Sequence, residues 1–70
     1  MRQIIMYPGE DGYWVVECPS LPGCISQGKT EAEALDNIRD AIDLWIRDAV
    51  AHNEPVPDDP KQIQLMLVAV

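Results

Sequence analysis

A glycine-bounded segment in the first half of the chain constrains the fold most. From Gly23 to Thr30 the sequence reads G-x-x-x-x-G-K-T, which is the phosphate-binding P-loop pattern when it joins a buried strand to a helix. The same residues also fit a short strand over residues 24–28, followed by Thr30 as the N-cap of a helix. These two interpretations require different folds, and the neighbouring residues distinguish between them.

The flanking sequence favours the strand and the cap. Pro22 directly precedes Gly23, where a P-loop needs a buried strand, and the apolar segment 63–70 has no acidic residue to hold magnesium. Thr30 and Glu33 have the spacing of a capping box, in which each side chain binds a backbone N–H at the helix start. We therefore predict that the P-loop match is accidental and that Thr30 caps a helix.

Hydrophobic patterning predicts the remaining elements. Apolar runs over residues 2–7 and 12–18 indicate two strands, joined by a hairpin turn over 10–12 with Gly12 at positive φ. Alternation in the second strand places Trp14, Val16 and Cys18 on the core face. A helix from the Thr30 cap to about His52 is indicated by apolar residues at three- and four-residue spacing, namely Leu35, Ile38, Ile42, Trp45, Ile46 and Ala49.

The C-terminal part of the sequence predicts a return to the sheet. Residues 53–60 contain three prolines and indicate an extended connector. Residues 63–70 are apolar on both faces, which is typical of a doubly covered strand, and a right-handed crossover would place it parallel to the first strand. We predict an α+β fold: a single β-β-β-α-β domain over residues 1–70, with a mixed sheet covered on one face by one helix.

The size of the chain and its last predicted strand indicate self-association. A chain of 70 residues has a thin core and commonly needs added stabilisation. With one helix, the second face of the last strand must be covered by another subunit or a partner. We therefore expect a homodimer or higher homo-oligomer, with Met66 and Val68 as the candidate interface residues.

Charge and composition limit the partners and the location. The net charge of −7 repels phosphate backbones, so we expect no direct nucleic-acid binding and a basic protein partner. No stretch is apolar enough for a secretory signal or a membrane span, and Cys18 and Cys24 are interpreted as buried or half-buried free thiols. These features indicate a cytoplasmic protein with no membrane contact.

The sequence contains no recognisable catalytic or metal-binding set. The β-β-β-α-β order is the core of ribonuclease H-like nucleases, but the first and last predicted strands lack the carboxylates that would hold two metals. The single histidine, His52, leaves a four-ligand zinc site incomplete, and a His52–cysteine pair lacks a third, orienting group. We expect a binding module that is not an enzyme, with no catalytic residue, no metal and no cofactor.

One family resemblance covers residues 1–45. The turn Leu21-Pro22-Gly23-Cys24 and the cap Gly28-x-Thr30 occur together at the spacing found in HicB-like antitoxins, which the chain resembles. The resemblance implies a degenerate ribonuclease H-like fold without catalytic acids. It also implies a partner, a small basic HicA-type toxin that cleaves mRNA and whose catalytic histidine the antitoxin covers.

Two departures from the family pattern qualify this resemblance. Lys29 replaces a common acid and creates the P-loop match, and the sequence lacks the C-terminal DNA-binding domain of many members. The sequence therefore leaves open whether the chain takes part in transcriptional autoregulation. The alternative function is an orphan oligomeric scaffold with an unidentified partner, non-enzymatic.

The candidate partner-binding residues are acidic residues beside an aromatic side chain. Glu10 and Asp11 at the hairpin tip, with Glu17 and an exposed Tyr13 on the second strand, offer a surface for a basic toxin. The alternative role of these acids is to keep a small domain soluble. The next candidates lie on the solvated face of the helix and are Asp36, Asp40 and Asp43.

Overall fold

The computed structural model describes residues 1–60 and 66–69. Within these ranges the chain forms three strands, β1 (Ile5–Pro8), β2 (Trp14–Glu17) and β3 (Ile25–Gly28), followed by one helix, α1 (Glu31–Ala51). Both strand pairs are antiparallel and β2 lies between β1 and β3. The predicted α+β arrangement is confirmed for these elements.

β1 and β2 are joined by a short turn that a backbone hydrogen bond closes. A 3-10 turn, Glu10–Gly12, lies between the strands, and the Gly9 N–H donates to the Tyr13 carbonyl oxygen at 2.7 Å. Gly12 has a φ of +77°, as predicted, and Asp11 also has a positive φ, of +59°. β1 begins at Ile5 instead of the predicted residue 2, and Ile5 lies opposite Glu17, the last residue of β2.

The core lies between one face of the sheet and α1. Val16 and Cys18 are buried with Leu21, Cys24, Ala34 and Ile38, and the half-buried Trp14 packs against them. This confirms the predicted core face of β2. Leu21 enters the core from the turn between β2 and β3, where its N–H donates to the Cys18 carbonyl oxygen at 3.1 Å.

The start of α1 decides between the two interpretations of the glycine-bounded segment. Thr30 Oγ1 accepts a hydrogen bond from the Glu33 N–H at 3.0 Å, which confirms the predicted N-cap. The residues between Gly23 and Gly28 form strand β3 and not a phosphate-wrapping loop. A Cβ atom at Gly28 would collide with the backbone of Ala34, so this glycine permits close packing of the helix on the strand. The P-loop geometry is therefore absent from this segment.

The face of α1 that contacts the sheet is the predicted one. Ile38 is fully buried, and Leu35, Ile42, Trp45 and Ile46 pack against the core cluster. The Trp45 indole N–H also donates to the Pro22 carbonyl oxygen at 3.0 Å, which joins the helix to the turn before β3. The helix ends at Ala51, one residue before His52, whose ring Nδ1 lies 2.8 Å from the Asp48 carbonyl oxygen.

The connector after α1 runs back to the N-terminal residues that precede β1. Arg2 Nη1 donates to the Pro57 carbonyl oxygen at 2.6 Å, and the Gln3 N–H donates to Asp59 Oδ2 at 3.1 Å. Of the predicted last strand over 63–70, residues 63–65 and 70 lie outside the described residues, and residues 66–69 form no strand. The mixed sheet and the ribonuclease H-like strand order therefore stay predictions, and the described sheet is purely antiparallel.

Candidate partner-binding surface

The sheet has a second face that points away from the helix. Because Val16 and Cys18 face the core, alternation turns Val15 and Glu17 to the opposite side of β2. The strand register places two cross-strand rows on this side, which we call the outer face. They are Ile5–Glu17–Ile25 and Tyr7–Val15–Gln27.

The outer face combines apolar side chains with a single carboxylate. Ile25 is 59% exposed and Tyr7 is 41% exposed, while Ile5 and Val15 are half-buried. None of the six residues in its two rows is basic. The outer face is therefore an accessible apolar surface with a negative centre, which is the kind of surface that commonly binds another protein.

Tyr7 and Glu17 form the polar centre of the outer face. The Tyr7 hydroxyl donates a hydrogen bond to Glu17 Oε2 at 3.0 Å, across the β1–β2 pair. This hydrogen bond raises the pKa of the Tyr7 phenol, and partial desolvation and the charge of Glu17 act in the same direction. The phenol therefore satisfies one oxygen of the Glu17 carboxylate.

The predicted partner-binding residues do not form one compact cluster. Glu10 and Asp11 are exposed in the 3-10 turn, as expected, but Tyr13 is half-buried and not exposed. Tyr13 lies in the connection directly before β2, four residues and about 13 Å along the chain from Glu17. Glu17 lies in the outer face, whereas Glu10 and Asp11 lie in the turn beyond its hairpin end.

The helix acids carry less unbalanced charge than the sequence suggests. Asp36 pairs with Arg39 at 3.7 Å, and Asp43 pairs with Arg47 at 3.1 Å. Both pairs join residues three or four positions apart on one face of the helix. All four side chains are largely exposed, so these pairs contribute little to stability but reduce the local negative charge.

Two open grooves border α1. The first, of about 360 Å³, lies between the start of β3 and the helix. It is lined by the half-buried Trp45 and by Leu44 and Asp48, which are exposed. The second, of about 470 Å³, lies between the N-terminal segment and the helix and includes Ile4 and Leu35. Ile25 lies at the border between the first groove and the outer face.

The thiols of the two cysteines are buried in the core. Cys18 and Cys24 are buried and free, and the Cys18 N–H donates to the Cys24 carbonyl oxygen at 3.0 Å across the β2–β3 turn. Burial raises the pKa of the Cys24 thiol, and nearby Cys18 raises it further, while Arg2 acts in the opposite direction. A buried thiol with a raised pKa is a weak nucleophile at neutral pH.

Residues 1–60 and 66–69 contain no group of three histidine, cysteine or acidic side chains that could hold a metal ion. No helix there has the length and the apolar character needed to cross a membrane.

Sequence reasoning missed the apolar members of the outer face. Tyr7, Ile5 and Ile25 were assigned to strands, but their shared face depends on the register across two turns. Only the 3-10 turn and the β2–β3 turn fix that register, and a slip of one residue would send these side chains to the core side. Their pairing opposite Val15 and Glu17 was therefore not readable from hydrophobic periodicity.

Comparison with known proteins identifies the class of protein to which this fold and surface belong. A family model described as the HicB-like antitoxin of bacterial toxin–antitoxin systems matches residues 3–69. The chain belongs to this family. No solved structure matches it significantly.

Several curated relatives carry the name UPF0150 protein. A relative from Thermoplasma acidophilum is 52% identical over 56 residues, which cover 80% of this chain and 81% of the relative. One from Synechocystis is 40% identical over 60 residues, which cover 86% of this chain and 76% of the relative. One from Helicobacter pylori is 50% identical over 42 residues, which cover 60% of this chain and 57% of the relative.

Proposed function

We propose that this chain is an antitoxin that binds a small basic HicA-type toxin and covers its mRNA-cleaving active site. The family match over residues 3–69 is the observation that carries this proposal. Two physical features support it. The chain has a net charge of −7, and its outer face offers an apolar surface with a carboxylate at its centre.

In this role the chain acts by binding and not by chemistry of its own. In the described residues the two thiols are buried in the core, Asp36 and Asp43 are paired with arginines, and His52 interacts with Asp48 at the end of α1. A HicA-type toxin acts on mRNA, so the proposed role places the antitoxin in the cytoplasm with its target. Neutralisation requires only that the complex be tighter than the toxin's contact with RNA.

The experiment that tests this function is growth rescue by co-expression. Expression of a HicA-type toxin from the same genome should arrest growth, and co-expression of this chain should restore it. The toxin gene is sought as a short neighbouring reading frame that encodes a basic domain. Purified toxin and antitoxin should then elute as one complex. Persistent growth arrest with a folded, expressed antitoxin would contradict the proposal and favour the orphan scaffold.

The acids at the hairpin tip are proposed to guide the encounter between toxin and antitoxin. Glu10 and Asp11 are exposed beyond the end of the outer face, where rim charges act mainly on the association rate. Neutralising both together with Glu17 should slow association and flatten its dependence on salt. An unchanged rate and salt slope in a folded triple variant would remove the tip from the site and make the helix acids the next candidates.

We also propose that the chain is a homodimer or a higher homo-oligomer. Met66, Leu67 and Val68 are all strongly exposed, and three consecutive large apolar side chains rarely stay in water without a partner. Met66→Asp or Val68→Asp should weaken assembly in light scattering at micromolar concentration. A wild-type chain that scatters as a folded monomer under those conditions would contradict this proposal.

A further inference from the structure

We infer that the outer face of the sheet is the surface that receives the toxin, and that the toxin contacts it with a guanidinium group set among apolar side chains. This inference rests on the proposed function and names the site at which it acts. The centre of the proposed interface is formed by Glu17, Tyr7 and Ile25, and the hairpin tip lies at its edge.

The position of the face gives it the room that a protein partner needs. α1 packs against the opposite side of the sheet, and the connector binds Arg2 and Gln3 at the N-terminal end. Ile5 and Ile25 flank Glu17 in one cross-strand row, and Tyr7 and Val15 lie beside them in the next. The face is therefore an apolar platform around one hydrogen-bonded carboxylate, the arrangement of an interface centre with a charged anchor.

The carboxylate selects the chemistry of the occupant. Glu17 is half-buried, and any protein seated over Ile5 and Ile25 would remove it further from water. A purely apolar partner would then leave a buried unpaired charge, which is strongly unfavourable. An arginine satisfies the carboxylate with paired N–H donors and stacks on aromatic rings, so it fits both Glu17 and Tyr7.

The same charge makes a second copy of this chain the wrong occupant. A two-fold axis through the centre of the outer face would bring Glu17 of one copy toward Glu17 of the other. None of the six residues in the two rows is basic, so neither row supplies a cation to balance that pair. Self-association is therefore assigned to the segment around Met66 and Val68, and the outer face to a basic partner.

Matched substitutions test this assignment with a HicA-type toxin whose catalytic histidine has been replaced. Ile25→Asp should raise the dissociation constant of the toxin complex by at least about tenfold. Glu17→Gln should also raise it, mainly by faster dissociation. Leu44→Asp is the matched control for Ile25→Asp, because Leu44 is 69% exposed on the helix side. Asp36→Asn is the control for Glu17→Gln. A larger effect of Leu44→Asp than of Ile25→Asp would overturn the inference and assign the toxin to the groove beside α1.

A toxin-independent probe separates this inference from the proposed function. A blocked hexapeptide of alternating arginine and leucine carries the proposed chemistry, and its binding can be followed by calorimetry at low salt. Binding that is lost in Ile25→Asp and kept in Leu44→Asp would support the surface, even if no HicA-type toxin bound the chain. No binding, or equal loss in both variants, would overturn it. Circular dichroism of each variant verifies that the fold is intact.

Discussion

The two faces of the small sheet differ in what their residues do for the protein. On the inner face, Val16 and Cys18 are almost inaccessible and join the helix in the core. On the outer face, Val15 and Glu17 alternate with them along the same strand but remain half-buried. One four-residue strand thus serves stability with one side and leaves the other available for binding. In so small a domain, apolar residues that contribute little to the fold are the best indication of a binding surface.

The difference between the core and the outer face should be greatest in the loss of stability when a large aliphatic side chain is truncated. Leu21→Ala should destabilise the chain by about 3 kcal/mol, because it leaves a cavity in the core below the β2–β3 turn. Ile25→Ala removes a side chain of equal volume from the outer face and should cost below about 1 kcal/mol. Urea denaturation of both variants measures the difference. Similar losses would mean that Ile25 is part of the folding core.

A sharper comparison uses adjacent valines on opposite faces of β2. Val16→Ala should cost about 2 kcal/mol, because the side chain is fully buried. Val15→Ala should cost clearly less and should instead weaken toxin binding. Thermal unfolding gives the first quantity, and titration with inactive toxin gives the second. A Val16→Ala variant that is folded but defective only in binding would reverse the assignment of the two faces.

A smaller loss of stability is expected at Thr30, which belongs both to the P-loop pattern and to the cap of α1. Thr30→Ala should destabilise the chain by about 1 kcal/mol, because the Glu33 N–H loses its acceptor. Lys29→Ala should leave stability almost unchanged, and ATP should not raise the melting temperature of the native chain. Differential scanning fluorimetry measures all three. A rise in melting temperature with ATP that disappears in Lys29→Ala would restore the P-loop interpretation.

The smallest expected effect concerns the pH dependence of the outer face. The pKa of Tyr7 is raised in the folded chain, so the contribution of its hydrogen bond is complete below the ordinary tyrosine pKa of about 10 and is lost as pH rises through the folded value. In a Tyr13→Phe background, an ultraviolet titration should report Tyr7 alone. Glu17→Gln should lower the midpoint, and an unchanged midpoint would show that the Tyr7–Glu17 contact is absent in solution.

The sequence predicted the inner face well because burial leaves a periodic record. The structure confirms the two-residue alternation that places Trp14, Val16 and Cys18 in the core. It also confirms the apolar face of the helix around Ile38. Leu21 was missed as a core residue because it lies in a turn with no periodicity. The outer face was only partly predicted, through Glu17, because the register that adds Tyr7 and Ile25 depends on turn geometry. The predicted last strand lies largely outside the described residues.

Binding of the toxin to the outer face can be observed in a methyl NMR spectrum of the labelled chain with and without inactive HicA-type toxin. Methyl groups of Ile5, Val15 and Ile25 report on the outer face, and those of Val16, Ile38 and Leu44 report on the core and the helix side. We predict the largest changes at the first three residues and small changes at the others. Changes concentrated at Leu44, with the outer-face methyl groups unmoved, would contradict the claim that the outer face binds the toxin.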